Sequence, residues 1–278
     1  MMPMTCAWKE FLRLVPPRMC REVDRLGRVT MQELRLRLGQ APELVLGRET
    51  VRLADTVTPE DLRYCVNAGS QYSPWAAETV SQGYLTAAGG HRIGLCGDAV
   101  VREGQMTGIR SLRSVNLRVA RDFPGIAARA AGISGSVMIL GPPGSGKTTL
   151  LRDLIRCRAE KGCVAVVDER GELFPPGFAP GKRTDILTGC PKAAGIDAVL
   201  RTMGPDCVAV DEITAAADCA ALHRAAFCGV TLLATAHAAS AEDFYRRPVY
   251  GPLCKSGLFE TLLVLSRDKS WTVERVTR

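Results

Sequence analysis

The chain has 278 residues, 46% of them apolar and 23% charged, with 36 lysines and arginines against 29 acids and a net charge of +7. This length exceeds the common single-domain range and sets two domains of ordinary size as the expectation; the 11 cysteines are odd in number, form no C-x-x-C pair and follow no signal peptide, which argues against a disulfide framework and against zinc. No apolar run approaches the roughly eighteen residues that span a bilayer, so an intracellular chain whose membrane contacts are peripheral is expected, its cysteines serving as small buried residues.

The amino-terminal elements come first. Two short helical stretches, 8–14 and 19–26, lead into residues 32–38, where Glu33-Leu34-Arg35-Leu36-Arg37-Leu38 alternates as a strand with one wet face does. Thr58-Pro59-Glu60-Asp61 carries the signature of a helix start, with proline at the first position and acids in the first turn, and Ser73-Pro74 marks a second start. Residues 84–88 and 91–96 flank Gly89-Gly90 and predict a hairpin, with further strands over 98–101 and 115–120. A proline-glycine interruption at Asp122-Phe-Pro-Gly125 ends this α+β domain, placing one domain at 1–122 and another at 123–278. The charge divides evenly, 17 basic against 13 acidic residues before the boundary and 19 against 16 after it, which gives nucleic-acid binding little support.

Beyond the boundary, strands alternate with helices as in a parallel sheet covered on both faces; the strands are predicted at 136–140, 163–168, 206–211, 230–235, 261–266 and 271–276. The first runs into Gly141-Pro142-Pro143-Gly144-Ser145-Gly146-Lys147-Thr148-Thr149, a complete G-x-x-x-x-G-K-[ST] loop between strand and helix. Its glycines allow backbone N–H groups to turn inward on phosphates, and the positive end of the following helix points at the same anion. Nucleoside triphosphate is the ligand this predicts, with Lys147 on the β and γ oxygens and Thr148 on Mg²⁺.

The strand 206–211 ends in Asp211-Glu212. Asp211 is expected to hold the metal through its water shell, and Glu212 to orient or deprotonate the attacking water. An extra strand ending in Asp168-Glu169-Arg170 separates the loop from these acids. Glu169 is either a second water-positioning acid or a structural partner of Arg170 or Arg183. The next strand end offers Thr235 and His237 as sensors of the γ-phosphate.

With these boxes in this order, the carboxyl-terminal core resembles the RecA-type motor of the type II and type IV secretion ATPases. A resemblance covering nearly the whole chain, carried by 72–78, 83–86, 89–97, 114–120, 141–153, 168–170, 183–187 and 189–192, is to the stage III sporulation protein AA family of endospore-forming bacteria. It implies a Mg²⁺-dependent ATPase assembled as a homohexamer, with nucleotide sites between neighbouring subunits. It also implies that arginines of the amino-terminal domain and its connection reach the phosphates, Arg118 first; Arg92, Arg121 and Arg183 are further candidates. The implied partner is the membrane protein AB of a channel complex between mother cell and forespore. One departure is Thr214-Ala215, where the family has Gly-Arg. Two rival readings remain open, a nucleic-acid translocase on the same motor core and a nucleotide-gated scaffold with little turnover.

Overall fold

The computed structural model describes residues 4–47, 49–70 and 83–276. The helix start at Ser73-Pro74 and the run 72–78 lie outside them. Internal contacts divide the described residues into one unit within 4–122 and 175–178, and a second within 123–174 and 179–276.

In the first unit, helices α1 (Trp8–Leu14), α2 (Pro17–Gly27) and α3 (Pro59–Ser70) accompany a six-stranded antiparallel sheet. Its strands are β1 (Met31–Arg37), β2 (Glu43–Leu46), β3 (Glu49–Arg52), β4 (Tyr84–Thr86), β5 (Arg92–Arg102) and β6 (Gln105–Arg118), in the order β3-β2-β1-β6-β5-β4. The alternation over 32–38 appears as burial of Leu34 and Leu36 between exposed Arg35 and Arg37. These leucines join Phe11, Met19, Val23, Leu62, Ile93 and Leu117 in one core. The strands expected over 98–101 and 115–120 are parts of a single long hairpin turned at Glu103 and Gly104, both left-handed. Gly97, which the sequence presents as a break, is instead an irregularity in the ladder; a Cβ there would lie 2.0 Å from the Ser111 carbonyl oxygen, so only glycine fits. The hairpin of β2 and β3 was not anticipated.

The second unit holds a seven-stranded sheet of β7 (Val137–Leu140), β8 (Val164–Asp168), β9 (Thr184–Thr188), β10 (Cys207–Val210), β11 (Thr231–Ala236), β12 (Thr261–Leu265) and β13 (Trp271–Arg275), in the order β13-β12-β7-β11-β10-β8-β9. All neighbours are parallel except the edge pair β12 and β13. Its helices are α4 (Lys147–Ala159), α5 (Lys192–Thr202), α6 (Ala216–Phe227), α7 (Ala241–Arg246) and α8 (Gly251–Ser256). The twofold period of a strand splits the sheet's side chains between two cores. Val137, Ile139, Val166, Ala209 and Leu233 pack with Leu150, Leu151, Leu154 and Ile155 of α4. Met138, Leu140, Val167, Val210 and Ala234 pack with Ile196 of α5, Leu222 of α6 and Phe244 of α7. Burial on both faces explains why these strands read as continuous apolar runs.

The edge strand β9 is the exception and was not predicted: Thr184-Asp185-Ile186-Leu187-Thr188 is short, half polar and only partly covered. The cysteines also depart in part from expectation. Cys65, Cys207 and Cys219 are buried, whereas Cys96, Cys163 and Cys228 are exposed. Among the described residues, no helix is long and apolar enough to cross a membrane.

The predicted helix start at Thr58 is a reciprocal cap. The Thr58 amide donates to Asp61 Oδ2 at 2.8 Å, and the Asp61 amide donates to Thr58 Oγ1 at 3.3 Å. Arg18 of α2 adds a forked pair to the same buried carboxylate at 3.1 and 2.5 Å. Burial raises the Asp61 pKa, but the guanidinium and the two Thr58 donors outweigh it and hold the carboxyl below its ordinary value. A depressed acid contributes its full stabilisation above the unfolded value, about 3.9, and loses it as pH falls through the lower folded value. Asp61→Asn is therefore expected to cost about 2–3 kcal/mol at neutral pH, with the gap from wild type closing below about pH 4. Urea denaturation across that range checks both the size and the sign.

Candidate active site

Four parallel strands, β7, β11, β10 and β8, end side by side, and the chemistry gathers at those carboxyl ends. The registers Ala236↔Leu140, Ala234↔Val210 and Val210↔Val167 bring the loop after β7, the acids after β10 and the end of β11 together.

The phosphate-loop sequence leaves β7 and enters α4 through Gly146, which caps the helix at φ 98°. Gly144 is also left-handed, at φ 76°. Gly141 is needed for space, because a Cβ there would approach Ser145 Oγ to 2.6 Å and the Leu265 carbonyl oxygen to 3.0 Å. Pro143 and Gly144 are exposed, and Pro142 and Thr149 half-buried. Ser145 Oγ is buried without a partner. A glycine-shaped loop with a spare buried hydroxyl at a helix N-terminus suits a phosphate ligand.

Lys147 is the first residue of α4 and is buried. Its ammonium donates to the carbonyl oxygens of Gly141 at 2.9 Å and Pro142 at 3.0 Å, and to His237 Nδ1 at 3.1 Å. All three of its hydrogens thus have acceptors. Burial pulls its pKa below the usual lysine value, opposed by the negative charges of Asp211 and Glu212.

Asp211 joins the motifs. Its Oδ2 accepts from Thr148 Oγ1 at 2.7 Å and its Oδ1 from Thr235 Oγ1 at 2.5 Å. Thr235, fully buried, also accepts from the Glu212 amide at 2.7 Å. That bond holds Glu212 at φ 53°, a left-handed backbone that costs a non-glycine residue about 1–3 kcal/mol. In this conformation Glu212 Oε1 meets His237 Nε2 at 2.9 Å and Oε2 meets Arg170 at 2.8 Å. The Thr148 hydroxyl and the Asp211 carboxylate are oxygen donors only, the set that Mg²⁺ takes.

Glu169 is not held by Arg170 or Arg183. It pairs with Lys192, a buried lysine at the first position of α5. The guanidinium of Arg170 lies on Glu212 instead. A cation at the positive end of a helix is locally unfavourable, and that, with its place in the run 189–192, was the signal in the sequence that could have singled out Lys192. Asp168, buried at the end of β8, accepts from the amides of Glu172 at 3.0 Å and Leu173 at 2.8 Å and shapes the following turn. Burial raises its pKa, the turn amides oppose this, and the Asp211 charge adds to the rise. Asp168, Glu169, Arg170, Glu172, Lys192, Asp211 and Glu212 line one cleft.

Each of the proposed arginines has a partner within its own unit. Arg118 is exposed on β6 of the amino-terminal unit, 3.5 Å from Glu33. In the same unit Arg92 lies over the Tyr84 ring, and Arg121 donates to the carbonyls of Arg28 and Met31. Arg183 donates to the Lys161 carbonyl at 3.4 Å.

Order of strands, loop and strand-end acids together define the RecA-like P-loop fold of the type II and type IV secretion ATPases. Two solved structures share it: the ATPase DotB of Legionella pneumophila, with a TM-score of 0.62 and 17% identity over 95% of this chain and 80% of that one, and the pilus retraction motor PilT with bound ADP, with a TM-score of 0.60 and 16% identity over 88% of this chain and 76% of that one. Within that class the chain belongs to the family described as Sporulation stage III, protein AA, whose model matches residues 12–275. It is 36% identical over 256 residues to the stage III sporulation protein AA of Bacillus subtilis (strain 168), covering 86% of this chain and 83% of that protein.

The hydroxyl of Thr235 is the only group that touches both Asp211 and the Glu212 amide in the hydrogen bonds described above. Thr235→Val keeps the shape and strands that amide, so a loss of about 1–3 kcal/mol is expected in urea denaturation, with Thr235→Ser close to wild type.

Proposed function

We propose that this protein is a Mg²⁺-dependent ATPase that works as the motor of a secretion-type machine. The observation that carries the reading is the 2.7 Å bond between Thr148 and Asp211, which brings the phosphate loop and the strand-end acid within reach of one metal-bound triphosphate. Thr148 and Asp211 would hold Mg²⁺, whose charge offsets that of the β and γ phosphates.

Lys147 exchanges its carbonyl partners for phosphate oxygens and keeps its charge on the transferring group. Glu212 orients a water for in-line attack. The water oxygen forms the new bond to the γ-phosphorus, the bond to the bridging oxygen breaks, its electron pair leaves on ADP, and the water's proton passes to Glu212. Thr235 and His237, at the end of β11, sense the γ-phosphate. Glu169 is a second acid beside the cleft, oriented by Lys192.

Family membership and fold support the wider setting. The chain assembles as a homohexamer with sites between subunits, and Arg118 of one subunit acts on the phosphates held by its neighbour. Its client is the stage III channel complex between mother cell and forespore, reached through the membrane protein AB, so that membrane contact is peripheral. Nucleic acid has no part in this reading.

Phosphate release measured against protein concentration, together with mass determination, tests the proposal. Lys147→Ala is expected to lose nucleotide affinity. Glu212→Gln should bind ATP and turn over about 10²–10⁴-fold more slowly. Arg118→Ala should bind normally and lose rate even at high protein concentration. Turnover of Glu212→Gln equal to wild type would remove that residue from the mechanism.

A further inference from the structure

The hydrogen bonds of Lys147, His237 and Glu212 form one continuous chain, and the chemistry of its first member fixes the direction of every bond along it. An ammonium group has hydrogens only to give. In the 3.1 Å contact with Lys147 Nζ, His237 Nδ1 must therefore be the acceptor and carry no hydrogen. The ring hydrogen then sits on Nε2 and is donated to Glu212 Oε1 at 2.9 Å. Arg170 donates to the other oxygen of the same carboxylate at 2.8 Å. Both oxygens of Glu212 are thus engaged while Lys147 rests on its own loop, and its backbone is pinned by Thr235, so the side chain cannot slip away by a backbone change.

We propose that His237 is a positioning residue that links the place of Lys147 to the availability of Glu212: when a triphosphate draws the ammonium away, Nδ1 loses its donor and Nε2 releases its hold on the carboxylate. The inference rests on the ATPase reading and adds to it the route by which occupancy is read. His237 acts through Lys147 on one side and Glu212 on the other and does not itself contact the phosphate. Each imidazole nitrogen is tied to one of the two groups, so the ring cannot turn for one without disturbing the other. With Nδ1 free, the ring can rotate, and Glu212 Oε1 becomes open to a water molecule. Arg170 remains on the second oxygen, which keeps the carboxylate aimed while the first is exposed.

The chain contains only 3 histidines, so nitrogen-15 spectra of the imidazole rings can be assigned with single substitutions. Without nucleotide, His237 is expected as the neutral ring with hydrogen on Nε2 and a hydrogen-bonded Nδ1. Saturating Mg²⁺ and a non-hydrolysable ATP analogue should move the Nδ1 signal downfield, towards a nitrogen without a donor, and K147M should give the same movement with no nucleotide present. His237→Phe should not weaken affinity for the analogue, because the ring competes with phosphate for Lys147. Calorimetric binding of the analogue with the His237 signals unmoved would overturn the relay alone. So would a large loss of analogue affinity in His237→Phe, which would mean that the ring contacts the phosphate itself. Failure of wild type to bind the analogue at all would instead sink the ATPase reading on which the relay stands.

Discussion

One carboxylate, that of Asp211, ties together segments that the chain keeps 63 and 24 residues away, accepting a hydrogen bond from a hydroxyl at the start of α4 and another from a hydroxyl on β11. The site needs this because each of its parts is locally costly. A half-buried carboxylate must have donors, Glu212 must be held in a left-handed backbone, and a buried lysine must have acceptors for all its hydrogens. Thr235 meets the first two requirements with a single hydroxyl, donating to Asp211 and accepting from the Glu212 amide. Cross-linked in this way, the strand ends can keep a geometry that none would hold alone.

The parallel sheet makes such cross-linking possible. Strand order places β11 between β7 and β10, so the residue after β10 and the residues at the end of β11 sit level with the loop that leaves β7. Because α4 packs on one face and α5 and α6 on the other, both faces are dry and the polar groups have only the strand ends to occupy. The apolar runs of the strands and the reactive cluster are thus two consequences of one architecture.

Much of this was legible in the sequence, for identifiable reasons. The loop octet, the acids after β10 and the Thr-x-His at the end of β11 are encoded locally, each by a strand followed at once by its functional group. Strands buried on both faces declare themselves by composition, and helices such as α3 by their caps. What escaped was decided by partners distant in sequence. Arg170 stands next to Glu169 in the chain, yet its side chain reaches Glu212, while Glu169 takes Lys192 from 23 residues away. Neighbours along a loop that follows a strand point in different directions, and pattern alone assigns no partner to either. The strands β2, β3 and β9 escaped because none is buried along its length as β7, β8 and β10 are, and β3 and β9 in particular lie at sheet edges. Gly97 misled because a glycine inside a strand and a glycine ending one look the same until the opposite backbone is known.

The resting partners of Lys147 bear on how a triphosphate would be held. In the proposed reading its ammonium is already out of water before any ligand arrives, stripped by the carbonyls of Gly141 and Pro142 and by His237. Most of the desolvation of that charge is thus met during folding, where burial depresses its pKa, and need not be met again on binding. Binding then exchanges neutral acceptors for charged phosphate oxygens, which adds an ion–ion attraction that the carbonyls and the imidazole do not supply. The gain from this exchange scales with the negative charge at the site, so it favours a metal-bound polyphosphate over a neutral ligand of the same shape. A surface lysine would begin fully hydrated and gain far less from the same exchange. In that reading Lys147 would discriminate between ligands because its alternatives are good but uncharged.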